Sequence, residues 1–373
     1  MRNGNMFCVP VLAALAVLPA SGSIIFDVPS GITTPPADDR GWQDTGSWQV
    51  GGGVAVASDY FLTAQHLGGG VGGSFILNGI SYPTVALHDI EGTDLRLMQI
   101  AGTFPGYAPL YHDTPGSEKG QVVSLVGFGD YAQGAPVVTN GIQNGWSWGQ
   151  AAGKNLAMNT VADVVTVDGA QHLAVNFNPL ANQSEGIYAP GDSGGGMFLF
   201  SGGQWRLAGI AHAITPFYQG QGDANPLQAA IYNPAGLYVQ DDEGNDVPAT
   251  GPQQGFATEV AAYFPQLDQV LLPGDVNYDG SVGFDDLLTL ARHFGQSDAT
   301  YEQGDLNGDG TVDFADLVIL ARDYGQSLDG GAPADAGQSG VATGATVVVP
   351  EPLTPALIGI ASAATLFRRR TIL

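Results

Sequence analysis

Three short segments, each built around one polar residue, constrain the fold of this chain most strongly. Leu62–His66 ends an apolar run in a histidine, Thr93–Leu97 opens an apolar/polar alternation with Asp94, and Gly191–Gly195 encloses Ser193 in glycines. A serine hydroxyl is a weak nucleophile at neutral pH, so it needs an adjacent base, and that base needs a third group to fix its tautomer. The three segments therefore favour a fold that brings distant strand ends together around one site.

Short apolar segments separated by turn residues surround these positions and predict an all-β body. Val54–Leu62 predicts two short strands around a turn, and Gln121–Gly129 predicts a further strand. Met197–Phe200 and Trp205–Ala211, joined by a Ser-Gly-Gly turn, predict a hairpin behind the serine. Phe256–Phe264 predicts a strand that turns into a closing helix.

In this order and these settings, the segments resemble those of chymotrypsin-like serine proteases over roughly residues 24–270. The resemblance implies a double antiparallel β-barrel, two packed six-stranded barrels with the site at their interface. It implies that Ser193 is the nucleophile, His66 the general base and acid, and Asp94 the orienting carboxylate. The amides of Gly191 and Ser193 would form the oxyanion hole. We therefore expect a serine endopeptidase that acts on a polypeptide substrate.

Several positions depart from the family pattern. Gln65 replaces the alanine before the histidine, His212 replaces a serine beside the aspartate, and Ile214 replaces a glycine of the substrate channel. The floor of the specificity pocket falls at Ile187, which argues against a preference for Arg or Lys side chains. We interpret His212 as a core or specificity residue. The other histidines outside the three segments are interpreted as structural: His88, His112, His172 and His293.

These departures leave two other functions open. The first is a catalytically inactive adhesion or scaffold module that keeps the protease fold, which the residues at Gln65 and Ile214 favour. The second is a secreted esterase, because the same three groups attack esters as readily as amides.

An internal duplication follows the closing helix. Residues 275–286 and 305–316 repeat one pattern, with oxygen-bearing side chains at positions 1, 3, 5 and 12 and a glycine at position 6, as in calcium loops. The predicted Ca²⁺ ligands are Asp275, Asn277, Asp279, Ser281 and Asp286 in the first loop, and Asp305, Asn307, Asp309, Thr311, Asp313 and Asp316 in the second. Position 9 is Gly283 in the first loop, which therefore has one oxygen ligand fewer than the second.

Aspartate instead of glutamate at position 12 departs from ordinary EF-hands and resembles the paired repeats of dockerins. The resemblance implies a small α-helical calcium-binding domain and a cohesin-type surface protein as a possible partner. The alternative is a calcium-stabilised spacer without a docking role. Because the loop carboxylates repel one another without an ion, we expect this unit to be largely unfolded in the absence of calcium.

Both ends of the chain predict export. A basic start, the apolar run Val9–Leu18 and the small residues after it are typical of a signal peptide. Val349–Pro352, the apolar stretch Leu353–Phe367 and Arg368–Arg370 resemble the PEP-CTERM sorting signal of bacteria. The resemblance implies a secreted or cell-surface and extracellular-matrix location, with transient membrane association through the tail. A permanent tail anchor is the alternative.

The new amino terminus offers a further hypothesis. Cleavage near Ser23 would expose Ile24, and in the family such an end pairs with the aspartate before the nucleophile, here Asp192. The alternative is that residues 24–40 form a loose arm. Removal of the leader would also remove Cys8, the single cysteine, so the mature chain would have no disulfide.

The net charge and the domain boundaries are two further predictions from the sequence. A formal net charge of −25 argues against nucleic acid as a partner, because the surface repels phosphates. The predicted regions are a signal peptide (1–23), a trypsin-like serine protease domain (24–271), a dockerin-like calcium-binding repeat pair (272–328), a flexible linker (329–348) and a PEP-CTERM sorting signal with a short transmembrane segment (349–373).

Overall fold

A computed structural model describes residues 24–25, 33–129, 131–150, 153–178, 185–215, 217–241 and 243–328. The predicted signal peptide, linker and sorting signal lie outside these residues. All described residues belong to one compact unit. Within them, every helix is too short or too polar to cross a bilayer.

Strands make up most of the body. In its first part they are β1 (Ile24–Ile25), β2 (Thr45–Trp48), β3 (Gly51–Ala55), β4 (Tyr60–Ala64), β5 (Ser74–Leu77), β6 (Ile80–Asp89) and β7 (Leu95–Ile100). They continue as β8 (Val122–Gly127), β9 (Tyr131–Thr139), β10 (Ile142–Gln150), β11 (Asn155–Val167), β12 (Ala170–Asn176), β13 (Gly186–Ile187), β14 (Gly196–Ser201), β15 (Gln204–Thr215), β16 (Ala229–Ile231), β17 (Tyr238–Gln240), β18 (Asp246–Pro248) and β19 (Gln254–Glu259).

These strands close into two antiparallel barrels of six strands each, as the sequence predicts. The first has the order β2-β3-β4-β7-β6-β5 and the second the order β11-β12-β19-β15-β14-β8. Three helices follow the second barrel: α1 (Phe264–Leu271), α2 (Phe284–His293) and α3 (Phe314–Asp323). The fold is therefore an all-β double barrel followed by a small helical region.

Two-residue turns set the register of three hairpins. Asn78–Gly79, Asn140–Gly141 and Asp168–Gly169 have φ values of 51° and 82°, 53° and 78°, and 51° and 85°. Positive φ at both positions defines the turn whose twist matches that of the paired strands, and Asn-Gly and Asp-Gly are its preferred sequences. The residues on either side pair directly, for example Leu77 with Ile80.

The two barrels have different interiors. Large aromatic rings fill the first, where Phe61 and Phe75 stack at 4.1 Å between centroids and Trp48 lies 5.3 Å from Phe61. The second contains smaller aliphatic side chains, among them Leu125 and Val175. Apolar side chains fill both interiors, so the residues that carry chemistry lie at the junction of the barrels and not inside them.

The helical region packs directly on the barrels. Phe264 and Leu267 of α1 belong to one hydrophobic core with Leu110 and Leu207 of the body and with Leu320 of α3. The repeats also interlock with each other. A Cβ atom on Gly274 would lie 3.1 Å from the Cα of Leu320 in α3, and one on Gly304 would lie 2.9 Å from the Cα of Leu290 in α2. Glycine before each loop therefore allows the helix of the other repeat to pack closely. The boundary at residue 272 stays a prediction.

Candidate active site

Strand pairing places His66 beside Asp94. Ala64, the last residue of β4, pairs with Leu95, the first residue of β7, so the segments that follow and precede them meet at one barrel end. The Gln65 amide donates to the Asp94 carbonyl at 2.6 Å, and the Gln65 side chain donates to the Leu95 carbonyl at 2.9 Å. Gln65, which departs from the alanine expected at this position, thus stabilises the turn that carries His66.

The Asp94 carboxylate accepts hydrogen bonds from two histidines. Oδ2 lies 2.6 Å from Nδ1 of His66 and 2.8 Å from Nδ1 of His212, and Oδ1 accepts from the His66 amide at 2.9 Å. An ionised carboxylate can only accept, so both Nδ1 atoms carry the proton and Nε2 of His66 is left to face the cleft. This is the tautomer that a general base needs.

These contacts determine which charges Asp94 and His66 favour. Burial alone would raise the pKa of Asp94, but the hydrogen bonds from His212 and His66 outweigh it and hold that pKa well below its ordinary value. The hydrogen bond from Asp94 raises the pKa of His66, although partial burial opposes the shift. The pair is therefore arranged to stabilise an imidazolium at His66.

The Ser193 loop docks on the first barrel. The Ser193 carbonyl accepts from the Gly52 amide of β3 at 2.8 Å. Gly194 has φ 79°, and a Cβ atom there would collide with the Gly52 carbonyl oxygen. Gly194 therefore combines a left-handed backbone with a close approach that no other residue permits. In this way the second barrel's loop lies against β3, which pairs with β4, the strand that leads to His66.

Two amides of this loop have no partner. Those of Asp192, Gly194 and Gly195 each donate to a backbone carbonyl within 3.0 Å. Those of Gly191 and Ser193 donate to no atom in the described part of the chain. Gly191 has φ 91°, so its peptide is oriented differently from the neighbouring peptides. The two amides predicted to form an oxyanion hole are thus the two that, among the described residues, remain available to bind an oxyanion.

The Asp192 side chain stabilises the Ser193 loop. Its buried carboxylate accepts from the amides of Gly129 at 2.7 Å and Ala189 at 2.8 Å. Nearby, Ile24 of β1 pairs with Ile187 of β13. Pairing of Asp192 with a new amino terminus at Ile24 stays a prediction.

A cavity beside Ser193 also contacts His212. Ser193 and His212 line the same cavity of about 80 Å³, whose other walls are Tyr188–Pro190 and Ala211–Ile214. The His66 and His212 rings lie 5.7 Å apart. Within the described residues no hydrogen bond joins Ser193 Oγ to His66. In ligand-free enzymes such bonds are often long and tighten only with substrate, so this does not rule out the pair.

The structure adds two histidines to the site, of which the sequence placed only His212 beside the aspartate. A β-bulge between Ala211 and Ala213 in β15 turns His212 towards Asp94. Buried His172 lies behind it, with ring centroids 4.7 Å apart, and burial lowers its pKa. A second cavity, of about 290 Å³, opens at Asp94, His172 and His212. No local pattern marks His172, whereas the resemblance already placed His212 beside the aspartate.

The calcium loops have matching conformations. Asp275 Oδ2 accepts from the Gly280 amide at 2.6 Å, and Asp305 Oδ2 accepts from the Gly310 amide at 2.8 Å. Gly280 and Gly310 both have φ 83°, so each position-6 glycine makes the same sharp turn. At position 12, Asp286 of the first loop accepts from the amides of Val276 and Gly283, and its counterpart in the second loop is bound in the same way.

The ligand atoms of these loops suit a hard cation, but their carboxylates are spread apart. Every side chain predicted to bind the ion offers an oxygen atom, the ligand that calcium prefers. Burial, together with the charges of Asp279 and Asp286, raises the pKa of Asp275 to about 6. In the described residues the only trio of histidine or acidic ligand atoms within 4.8 Å of one another is that of His66, Asp94 and His212. Calcium binding would therefore draw the loop carboxylates together.

Comparison with known proteins identifies the helical region. Residues 273–325 match the family model of the dockerin type I domain. No curated protein matches the chain. A solved structure with a related arrangement is the passenger domain of plasmid-encoded toxin, an autotransporter enterotoxin from enteroaggregative Escherichia coli. It is 12% identical with a TM-score of 0.40, and the alignment covers 66% of this chain and 25% of that one. The fold assignment rests on the barrels and not on this distant likeness.

Proposed function

We propose that the protein is an exported serine endopeptidase that carries a calcium-binding docking module. The observation that carries the proposal is the placement of Ser193, with two unpaired amides, at the same barrel junction as the hydrogen-bonded pair His66 and Asp94. A nucleophile, an oriented base and free oxyanion donors are the parts that acyl transfer requires.

The reaction would proceed in two halves. Ser193 Oγ attacks the peptide carbonyl carbon while Nε2 of His66 takes its proton, and the amides of Gly191 and Ser193 bind the oxyanion. Collapse of this intermediate expels the amine, which takes the proton from His66. Water then attacks the acyl-enzyme, gives its proton to His66, and Ser193 leaves with that proton. Asp94 stays ionised and holds Nδ1–H of His66 throughout.

The cavity beside Ser193 supports a preference for uncharged side chains. Its walls include Ala211, Ala213 and Ile214, and none of the described residues that line it is acidic. A Lys or Arg side chain would find no counter-ion there, so its desolvation would be uncompensated. We propose neutral, apolar residues on the acyl side of the cleaved bond. Peptide-library profiling would test this, and a library dominated by cleavage after Arg or Lys would contradict it.

Labelling with a fluorophosphonate probe tests the activity itself. The full chain in calcium is expected to label, and Ser193→Ala is expected not to label. Ser201→Ala, which removes another hydroxyl on the adjoining strand, is the matched control and should label like the parent. No labelling of a folded parent would favour the inactive scaffold, for which the lack of a hydrogen bond between Ser193 and His66 is the supporting observation. Hydrolysis of esters without peptides would favour the esterase.

The helical region would provide the docking module. Phe284 and Phe314 occupy equivalent positions at the start of α2 and α3, and each is 66% exposed. Large apolar side chains exposed at related positions mark a binding surface. We propose a cohesin-type surface protein as the partner. Binding to a panel of cohesin modules by Phe284→Ala and Phe314→Ala, against the parent, would test the assignment, and unchanged binding would contradict it.

The location would be the cell surface or its surroundings. Dockerin domains occur in extracellular proteins, and the predicted leader and PEP-CTERM tail would export and sort the chain. Mass spectrometry of the secreted protein would locate both cleavage sites.

A further inference from the structure

Asp268 is a buried carboxylate without a partner. It lies on α1 and is 0% exposed, and neither of its oxygens accepts a hydrogen bond from a described residue. Nor does it form an ion pair with any side chain in the described part of the chain. A carboxylate buried in this way is stable only if it keeps its proton or binds a cation.

The surroundings of Asp268 belong to the first calcium loop. Gln269, the next residue of α1, donates from Nε2 to the hydroxyl of Tyr278 in this loop at 2.9 Å. Burial raises the pKa of Asp268 to about 9, with smaller contributions in the same direction from the negative charges of Asp275, Asp286 and Asp279, which are predicted ligands of the loop. The helix that carries Asp268 therefore contacts the loop that would hold the ion.

The first loop is also the one that lacks an oxygen ligand. Its position 9 is Gly283, where the second loop has Asp313. It is also the loop that contacts the body. A Cβ atom on Gly280 would lie 3.4 Å from Nε2 of His112, whose ring stacks on Phe264 of α1 at 4.6 Å, whereas one on Gly310 would meet nothing within 4 Å.

We propose that Asp268 supplies a carboxylate ligand from the protease body to the calcium ion of the first loop, so that this ion fastens α1 to the repeat pair. The proposal rests on the calcium-binding role proposed above for the loops. It assigns to Asp268 the part that position 9 has in the second loop. It also makes the two sites unequal, since only the first would couple calcium to the barrels.

Calcium titration of the full chain by calorimetry tests this, in a Ser193→Ala background that prevents self-cleavage. We expect two sites in the parent. Asp268→Asn keeps the shape of the side chain and should weaken one site at least tenfold while the other is unchanged. Glu118→Gln is the matched control, because Glu118 is also 0% exposed with both oxygens unpartnered but belongs to the body. It should leave both affinities unchanged.

Far-UV circular dichroism at saturating calcium should show Asp268→Asn folded like the parent, so that weaker binding is not mistaken for a loss of folding. Unchanged affinities in folded Asp268→Asn would overturn the proposal and leave the calcium loops intact. A folded parent that binds no calcium would overturn the loop assignment as well.

Discussion

Asp94 and Asp268 are both withdrawn from solvent, yet only Asp94 is provided with donors. Two histidines and a backbone amide surround Asp94 and hold its pKa low, whereas Asp268 has no partner and its pKa rises to about 9. The difference separates two kinds of site. The cleft supplies the hydrogen-bond donors of Asp94 from its own side chains, whereas the partner that we propose for Asp268 is a cation bound by the first loop.

Removal of the Asp94 charge should have the largest effect. An amide has one acceptor oxygen and no charge, so Asp94→Asn cannot accept both from the two Nδ1–H groups and from the His66 amide, and the His66 imidazolium loses its partner. We expect probe labelling and peptide hydrolysis to fall by about 10⁴-fold. The matched control is Asp168→Asn, at an exposed turn that favours Asn equally and lines the cavity at Asp94, His172 and His212. A fall of less than tenfold in Asp94→Asn would contradict the role of Asp94.

Removal of calcium should affect the calcium loops and their helices and leave the cleft around Ser193 unchanged. A chelator should abolish the helical signal of α2 and α3 in far-UV circular dichroism, because the loop carboxylates then repel one another. The strands should keep their signal, and Ser193 should still be labelled. Excess magnesium should not restore the helices, since its octahedral preference fits these loops poorly. A spectrum that is the same with and without calcium would refute the dependence.

The second donor to Asp94 can be removed separately. His212→Ala deletes one hydrogen bond to a charged acceptor, a loss of about 1.5 kcal/mol, and should reduce kcat/KM by about tenfold. His212→Ser restores a donor of the kind usual in the family and should recover most of the activity. Because His212 acts through Asp94, its loss should also move the pH profile, which a merely structural role would not do. An unchanged profile in His212→Ala would refute this positioning role.

The pH profile of the parent follows from the same contacts. His66 must be neutral to take the Ser193 proton, and its hydrogen bond to Asp94 raises its pKa above the ordinary 6.5. The labelling rate should therefore rise with pH through a midpoint above that value. The midpoint should fall in Asp94→Asn, where the imidazolium has lost its partner. A parent midpoint at or below 6.5 would contradict the shift.

The sequence predicts the barrels well and the charged sites less well. Local rules suffice for turns such as Asn78–Gly79 and for the strand that ends at His66. The bulge that aims His212 at Asp94 results from the register between β15 and β19, which no local pattern encodes. Asp268 is different, because it lies one helical turn from Phe264 on an apolar face, and a charge there is a visible sign of an unusual environment.

A pair of buried carboxylates in the body should have the smallest effect, on stability. Buried Glu118 and Glu259 lie together, and burial raises the pKa of both, that of Glu118 to about 7 from 4.5. The folded state thus holds more protons than the unfolded state between these pH values, so the free energy of unfolding falls as pH rises through that range. In a Ser193→Ala background with calcium, urea unfolding should show a loss of about 1–2 kcal/mol from pH 5 to pH 8, and Glu118→Gln should flatten it. Glu91→Gln, at an exposed position, should keep the parent's slope. An equal slope in Glu118→Gln would mean that this pair, unlike Asp268, is already compensated within the body.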